Sequence, residues 1–585
     1  MRPLSYLLLI ALTLPLHAAE SRTVKLTLSP ETTYIMEPQL PDGRIDYLTA
    51  LNKQLAAQTT PENNLLVGVF SVVAGEKENP LVLENKTEED CPESTRKYRE
   101  RFCKLLGLDA PPPLKSLVEI TPESSVSKNY EEELLEVYSK QELALMIEKL
   151  REREKNWHKA RLDDGKITQE EYEMEIKKIE TETPAEYYRT IVSDQWYETL
   201  KRPWTAKEFP YIAKWLATTN VWGEKLMNFS RTHTGYYHPW LSDDENMYLL
   251  FEVLLPYAHS FRQAARYFEC RGNFEFALGH DDQAMEYAFS SIRMGRIMRR
   301  GSGTIVEDLV GIAMTGIGHY QLSIYLTELS KNKDAAWILQ KKKEYDAIAM
   351  EIPLPWPPAW YQAERFGILS AIQSAAVEPK RLRVFFEDEE LLARYDKLFH
   401  AEAEYDWDEI LKQVNFFYDD LDEMLLIPDW QRRFRAAARL EQRVAEYGKR
   451  GVGPDDAPER KAIDFLLAEL SPTIGRLMDA LARIEWDRQT TSVAFALAAY
   501  RADNGGASPD SLGQLVPKYL EEIPDSPFTG KPLRYLKRQH DVLIANNDTF
   551  KLDGSEEEVE KRIAEEPPGG RAYPVPRSFV FIVTR

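Results

Sequence analysis

The chain has 585 residues, of which 43% are hydrophobic, 11% aromatic and 29% charged. That is enough apolar side chain for a packed interior and too much length for a single core, so wholesale disorder is excluded and about three domains are expected. A formal net charge of -21 at pH 7 excludes nucleic acid as a partner class, because binding it requires clustered Lys and Arg that displace counterions.

The N-terminus has the pattern of a secretory signal peptide. Arg2 supplies a basic start, residues 4–16 form a mostly apolar run, and His17-Ala18-Ala19 offers small residues for cleavage near Ala19. The run is shorter than the roughly 20 apolar residues that span a bilayer, and no later segment of the sequence is long and apolar enough to do so. An exported chain, periplasmic or secreted, with no transmembrane segment after cleavage is the expectation. Left uncleaved, the same run would act as an anchor. In an oxidising compartment Cys91 and Cys103, close in sequence, are the pair favoured over Cys270, with buried free thiols as the alternative.

Residues 20–120 read as a mostly helical region. Residues 23–28 alternate and predict a short strand. Helices are expected over 45–57 and 65–73, the second opened by Thr60-Pro61-Glu62-Asn63, and Pro111-Pro112-Pro113 marks a linker. Residues 121–190 read as a charged helical hairpin. Leu134, Leu135, Val137, Leu143, Ile147 and Leu150 hold helical spacing, and Thr168 with Glu171 forms a capping box after Gly165. With Gly165 at the sixth position of a calcium loop, Ala160 and Leu162 would fall at the first and third ligand positions, so an EF-hand is excluded there.

Residues 191–455 read as a helical body. Trp196, Trp204, Trp215, Trp222 and Trp240 suit either a stacking platform or a helical core, and the spacing of Ile212, Trp215 and Leu216 favours the core. Helices over 261–278 and 283–298 flank a turn at Gly279-His280-Asp281-Asp282. With Gly272, Ala277, Ala284 and Tyr287 they resemble one tetratricopeptide-like helical pair, a single copy rather than a solenoid. The next helix, 304–326, carries Gly311, Ala313, Gly316 and Gly318, small residues that allow close helix approach. Pro353-Leu354-Pro355-Trp356-Pro357-Pro358 predicts a polyproline II segment. Further helices are expected over 359–374, 387–426 and 429–447, with a linker at 451–458.

Residues 456–585 read as a long helix, 461–500, leading into a small α+β module. Gly505-Gly506 stops the helix, and a proline-punctuated stretch ends in Pro527-Phe528-Thr529-Gly530-Lys531-Pro532-Leu533-Arg534-Tyr535. This order resembles the soluble domain of type II secretion pseudopilins. The resemblance implies calcium on the final loop, for which Asn546, Asp548 and Asp553 fall in the corresponding region. It departs from that family at the helix itself, where Glu485, Asp487 and Arg488 are unsuited to lipid, so polymerisation as a pilus subunit is not expected. Asp46-Tyr47-Leu48-Thr49-Ala50-Leu51-Asn52, Glu307-Asp308-Leu309-Val310-Gly311 and Arg501-Ala502-Asp503-Asn504-Gly505 are similar to an uncharacterised family of large exported bacterial helical proteins. That likeness implies a mainly α architecture and transfers no catalytic residue.

For chemistry, His233 and His238 near Asp243, Asp244 and Glu245 offer a loop-borne zinc arrangement, against which capping or surface roles stand as the plainer reading. No Gly-x-Ser-x-Gly elbow occurs. Paired carboxylates beside aromatics, as glycoside hydrolysis requires, are suggested by Glu404 and Asp408 with Tyr405, Trp407 and Tyr418, within an acidic run from Glu402 to Glu423. A solvated acidic face explains the same run. The expectation is an exported non-enzymatic scaffold or protein-interaction protein of the bacterial envelope, with protein partners. The alternatives are a glycoside-type hydrolase acting on a glycan and an accessory related to type II secretion.

Overall fold

The computed structural model describes residues 26–57, 59–73, 93–108, 121–122, 130–241, 256–352, 360–378, 383, 388–399, 404–449, 457–470, 474–537, 541–545 and 578–582. The apolar run at residues 4–16 with His17-Ala18-Ala19, Cys91, both proline runs, residues 451–456, Glu402, and Asn546, Asp548 and Asp553 lie outside the described residues. The molecule is mainly α, and one apolar cluster runs continuously from Ile45 to Leu533.

Residues 26–46 form an irregular strap. Its described start, 26–28, is coil rather than the strand expected there, because the Thr27 amide donates to Asp408 Oδ1 at 2.9 Å instead of to a neighbouring strand. Helix α1 (Tyr47–Ala56) begins where Asp46 accepts from the Thr49 amide, and α2 (Leu65–Val73) follows. Sequence reading missed α3 (Glu93–Leu105), whose charged composition hides Tyr98 and Phe102, two buried rings at i and i+4. After α4 (Tyr130–Leu135), the long hairpin α5 (Lys140–Asp163) and α6 (Gln169–Thr181) forms as expected. Reciprocal capping boxes, Ser139 with Glu142 and Thr168 with Glu171, satisfy the orphan amides at both helix starts, and Gly165 turns the chain at a φ of 68°.

Helices α7 (Pro184–Lys201) and α8 (Pro210–Thr232), with the segments that follow each, carry the tryptophan cluster. Trp196, Trp204, Trp215 and Trp240 are buried, so these rings are core; only Trp222, half-buried beneath Lys225, touches the surface. Next come α9 (Pro256–Ala277) and α10 (Asp281–Gly301), joined by a three-residue turn that makes them antiparallel neighbours. Helix α11 (Ile305–Asn332) packs along α10, and the small residues decide how closely. A Cβ on Gly295 would meet the Gly311 carbonyl oxygen at 2.5 Å, and one on Gly318 would meet the Ala288 carbonyl oxygen at 2.6 Å. Gly316 faces open space and takes no part.

Helix α12 (Ala335–Glu351) was not anticipated; Arg296 of α10 caps its end, donating to the Ile352 carbonyl at 2.9 Å. Then follow α13 (Trp360–Val377), α14 (Glu389–Leu398), α15 (Trp407–Leu426) and α16 (Trp430–Lys449). The single helix expected over 387–426 is thus two, since Asp406 caps a new start by accepting from the Glu409 amide. Likewise 461–500 divides into α17 (Pro458–Leu470) and α18 (Ile474–Asp503), with Pro472 between them in sequence. Helix α18 packs on α11, α12 and α16, and α17 packs on α15 and α16. No helix among the described residues is long and apolar enough to cross a membrane.

Helix α18 ends as the sequence indicates. Gly505 and Gly506 take φ of 61° and 89°, and the Gly506 amide donates back to the Arg501 carbonyl at 2.8 Å. A short 3-10 turn (Leu512–Leu515) leads to β1 (Arg534–Lys537), β2 (Asp541–Ala545) and β3 (Ser578–Ile582), antiparallel in the order β1-β2-β3. Tyr535 lies opposite Ile544, and Leu543 opposite Val580.

The α10–α11 contact gives a paired prediction. Gly295→Val forces backbone apart and should lower unfolding stability by at least about 1–3 kcal/mol. Gly316→Ala, in open space on the partner helix α11, should leave it unchanged or raise it by about 0.5–1 kcal/mol. Denaturant unfolding of the two variants measures both, and equal losses would refute this account of the packing.

Candidate functional site

Helix α13 reads Trp360-Tyr361-Gln362-Ala363-Glu364-Arg365 and then runs to Val377 without another charge. Placing two ionisable groups in the core demands partners from other elements, since an unpaired buried charge is strongly disfavoured. Arg365 is 0% exposed, and α15 supplies those partners. Arg365 Nη2 donates to Asp419 Oδ1 at 2.7 Å and Asp422 Oδ2 at 3.2 Å. The two aspartates sit three residues apart on one face of α15, which is how a single guanidinium nitrogen reaches both.

Aromatic rings close over the guanidinium. Tyr34 of the strap lies 4.2 Å from it and Tyr418 of α15 lies 5.9 Å away, both in cation–π range. Tyr34 adopts a φ of 63°, a left-handed conformation that costs a bulky residue on the order of 1–3 kcal/mol and persists only where the surroundings impose it. The strap is fixed on either side. Asn415 Nδ2 donates to the carbonyls of Glu31 and Thr32 at 3.0 and 2.8 Å, Tyr47 donates to the Thr33 carbonyl at 2.7 Å, and the Ile45 amide donates to Gln373 Oε1 at 2.9 Å.

Asp422 and Glu364 are weakened as acids. Burial raises Asp422 to about 6, with Arg365 opposing and Asp419 adding to the shift. Burial also raises half-buried Glu364 to about 7, partly offset by the Ile305 amide at the start of α11. Tyr361 is pushed up to about 12 by burial and by Asp422. The polar group continues into α11. Trp360 Nε1 donates to Asp308 Oδ2 at 3.2 Å, and Arg299 Nε donates to Asp308 Oδ1 at 2.9 Å. Glu307, raised by burial to about 7, accepts from the Tyr236 hydroxyl at 2.8 Å and the Gly303 and Thr304 amides at 2.8 and 3.0 Å. Glu307 and Asp308 therefore hold the loop before α11 and are occupied in doing so.

The residues singled out from sequence fall elsewhere. Glu404 is exposed ahead of α15, and Asp408 is engaged by the Thr27 amide. Tyr405 donates to the Leu398 carbonyl, and its ring packs with Trp407 and Phe399 rather than presenting a platform. Asp420 pairs with Arg443. Of the acidic run, Asp419 and Asp422 are the members brought together with Arg365. The signal that would have found them is the Glu364-Arg365 pair, the only charges in an otherwise neutral helix.

His233 caps the end of α8, half-buried, while His238 is buried against Phe102 and pushed down to about 3 by desolvation. Asp243, Asp244 and Glu245 lie outside the described residues. Among the described residues, no three His, Cys, Asp or Glu side chains converge as a metal site would require. Comparison with protein-family models, curated proteins and solved structures finds no match to this chain.

The raised carboxyls set a pH dependence. Glu364 and Asp422 bind protons more tightly in the folded chain, so their contribution to stability is fully present below their unfolded values near pH 4 and is lost as the pH rises through about 6 and 7. The contribution of these two carboxyls should therefore fall between pH 5 and pH 8, against the opposite trend of His238 and His319, which burial keeps neutral. Glu364→Gln should flatten that fall by on the order of 1–2 kcal/mol, measured by urea denaturation at the two pH values. An unchanged slope would remove Glu364 from the account.

Proposed function

We propose that the protein is an exported, non-enzymatic helical scaffold that makes protein contacts in the bacterial envelope. The observation that carries this reading is the α5–α6 hairpin. Helix α5 has 24 residues, a length of about 36 Å, and α6 buries only Ile179. Leu145, Trp157 and Met174 stand 53%, 56% and 62% exposed on this arm. Apolar side chains of that size, held at the surface of an otherwise charged hairpin, are the material of a protein contact. Arg161 covers the Trp157 ring at 4.7 Å, and Lys155–Glu180 and Arg153–Asp194 ion pairs at 2.8 and 2.6 Å brace the arm.

The scaffold reading is favoured over a hydrolase built on Glu404 and Asp408 by the engagement of Asp408 with the strap and by the burial of the tryptophans. Export rests on the leader ending near Ala19. A role beside type II secretion rests on the pseudopilin likeness, which is supported by the succession of a long helix, a short 3-10 turn and a small antiparallel sheet. In that reading Asn546, Asp548 and Asp553 would hold calcium. The α9–α10 pair keeps its likeness to a tetratricopeptide pair on the same footing.

Chemical cross-linking in the native envelope, followed by purification, should recover a defined protein partner. The double substitution Trp157→Ala with Met174→Ala should reduce that recovery about tenfold while changing unfolding stability by no more than about 0.5 kcal/mol per site. Repeated recovery of the bare chain, or recovery indifferent to both substitutions, would overturn the proposal.

A further inference from the structure

Helix α16 carries six basic residues against two acids, in a chain whose net charge is -21. The fold itself uses two of the six. Arg433, buried, donates to the Ile427 carbonyl at 2.8 Å, and Arg443 pairs with Asp420 of α15. Arg432, Arg435 and Arg439 are exposed, and their side chains make no ion pair, hydrogen bond or ring contact among the described residues. Spacings of three and four residues put them on one face of the helix, in a row about 10 Å long. Glu446, which accepts from Gln442 at 3.1 Å, closes that face at one end. At the other end Gln431 donates to the Pro527 carbonyl at 3.0 Å, and Lys531 is exposed on the turn so held. Asp429, at the helix start, accepts from the Arg432 backbone amide at 2.7 Å.

Charged rows on helices are usually solvated faces, but exposed arginines on other elements of this chain find acids. Arg153, Arg202, Arg231 and Arg383 pair with Asp194, Glu208, Glu286 and Asp396 at 2.6, 2.9, 2.7 and 3.1 Å. With 95 Asp and Glu against 74 Lys and Arg, acid partners are in excess, yet three arginines side by side on α16 have none.

Unpaired guanidinium groups select anions, since each presents parallel N–H donors to a carboxylate or a phosphate. A lipid surface suits the row poorly. The other exposed positions of α16 are Ala438, Gln442, Ala445 and Glu446, with no large apolar side chain to enter a bilayer. An extended phosphate surface or nucleic acid would also meet the acidic body around the row. A single acidic polypeptide segment covers the row alone, and charges beyond about 8–10 Å are screened from it at physiological salt. Glutamates at i, i+4 and i+7 of a helix repeat the rises of Arg439, Arg435 and Arg432 read in the antiparallel direction.

We propose that the Arg432, Arg435 and Arg439 face of α16 is a docking site for an acidic helical segment of a partner protein, with carboxylates at i, i+4 and i+7. The site lies on a different helix from the α5–α6 hairpin and stands whether or not that hairpin makes a contact.

The test titrates the full chain calorimetrically at low salt with an alanine-rich helical peptide of about 20 residues bearing glutamate at i, i+4 and i+7, and with its glutamine counterpart. The glutamate peptide is expected to bind at millimolar or lower concentration and the glutamine peptide not to bind. Arg435→Gln with Arg439→Gln should weaken binding about tenfold and leave the melting temperature unchanged. Arg435→Lys with Arg439→Lys should keep part of the affinity, and added salt should weaken it. No binding of the glutamate peptide, or binding that the double glutamine variant retains, would overturn the proposal. Tighter binding to phosphatidylglycerol vesicles or to single-stranded DNA than to the peptide would also overturn it, in favour of a phosphate surface. Two further results would do the same. Self-association lost in the double glutamine variant, read by sedimentation, would assign the face to a second copy of the chain. Peptide binding that emerges only when Asp553, Glu556, Glu557, Glu558 and Glu560 are replaced by their amides would assign it to that acidic stretch of the same chain.

Discussion

A guanidinium with no exposed surface constrains everything packed around it. Arg365 has to be neutralised by α15 and covered by rings from the strap and from α15, and it draws three separate parts of the chain to one point. Removing one partner of such a group would leave an uncompensated buried charge, at about 3–5 kcal/mol, a large share of a protein's net stability. The strap illustrates the consequence. Residues 26–46 contain no helix or strand, only an isolated bridge between Gln39 and Ile45. They are held in place by polar contacts to α13 and α15 and by the Tyr34 ring over Arg365.

The same helix joins this point to the centre of the body. Trp360 and Glu364, on the first turns of α13, meet the start of α11 through Asp308 and the Ile305 amide. Helix α11 then runs against α10 at a separation set by Gly295, Gly311 and Gly318, and against α18 further along. A polar belt and a close-packed helical pair are therefore parts of one continuous interior. The α5–α6 hairpin, mostly exposed on α6, depends on its caps and on α7 for its position.

What the sequence disclosed follows from the range of the interactions involved. The α5–α6 hairpin, α2 and the end of α18 were legible because capping boxes, helical periodicity and Gly505-Gly506 act within a few residues. The breaks that divide 387–426 and 461–500 were missed because apolar periodicity carries across them, while Asp406 and Pro472 act locally. Helix α3 was hidden by its charges. The candidate site was the least legible part. Arg365 and Asp422 are 57 residues apart and Tyr34 lies far upstream, so only tertiary packing brings them together. The acidic run near Glu404 drew attention by its density, whereas the informative acids were those two whose partner is the one basic residue of α13.

Nitrogen-15 NMR of arginine-labelled protein tests the burial of Arg365 most directly, with its signals assigned by their disappearance in Arg365→Lys. A stacked, doubly bonded guanidinium should give separate Nη signals through restricted rotation, with side-chain protons that exchange slowly with water. One averaged, fast-exchanging signal of the kind given by a solvated arginine would contradict the arrangement on which both the strap and the candidate site depend.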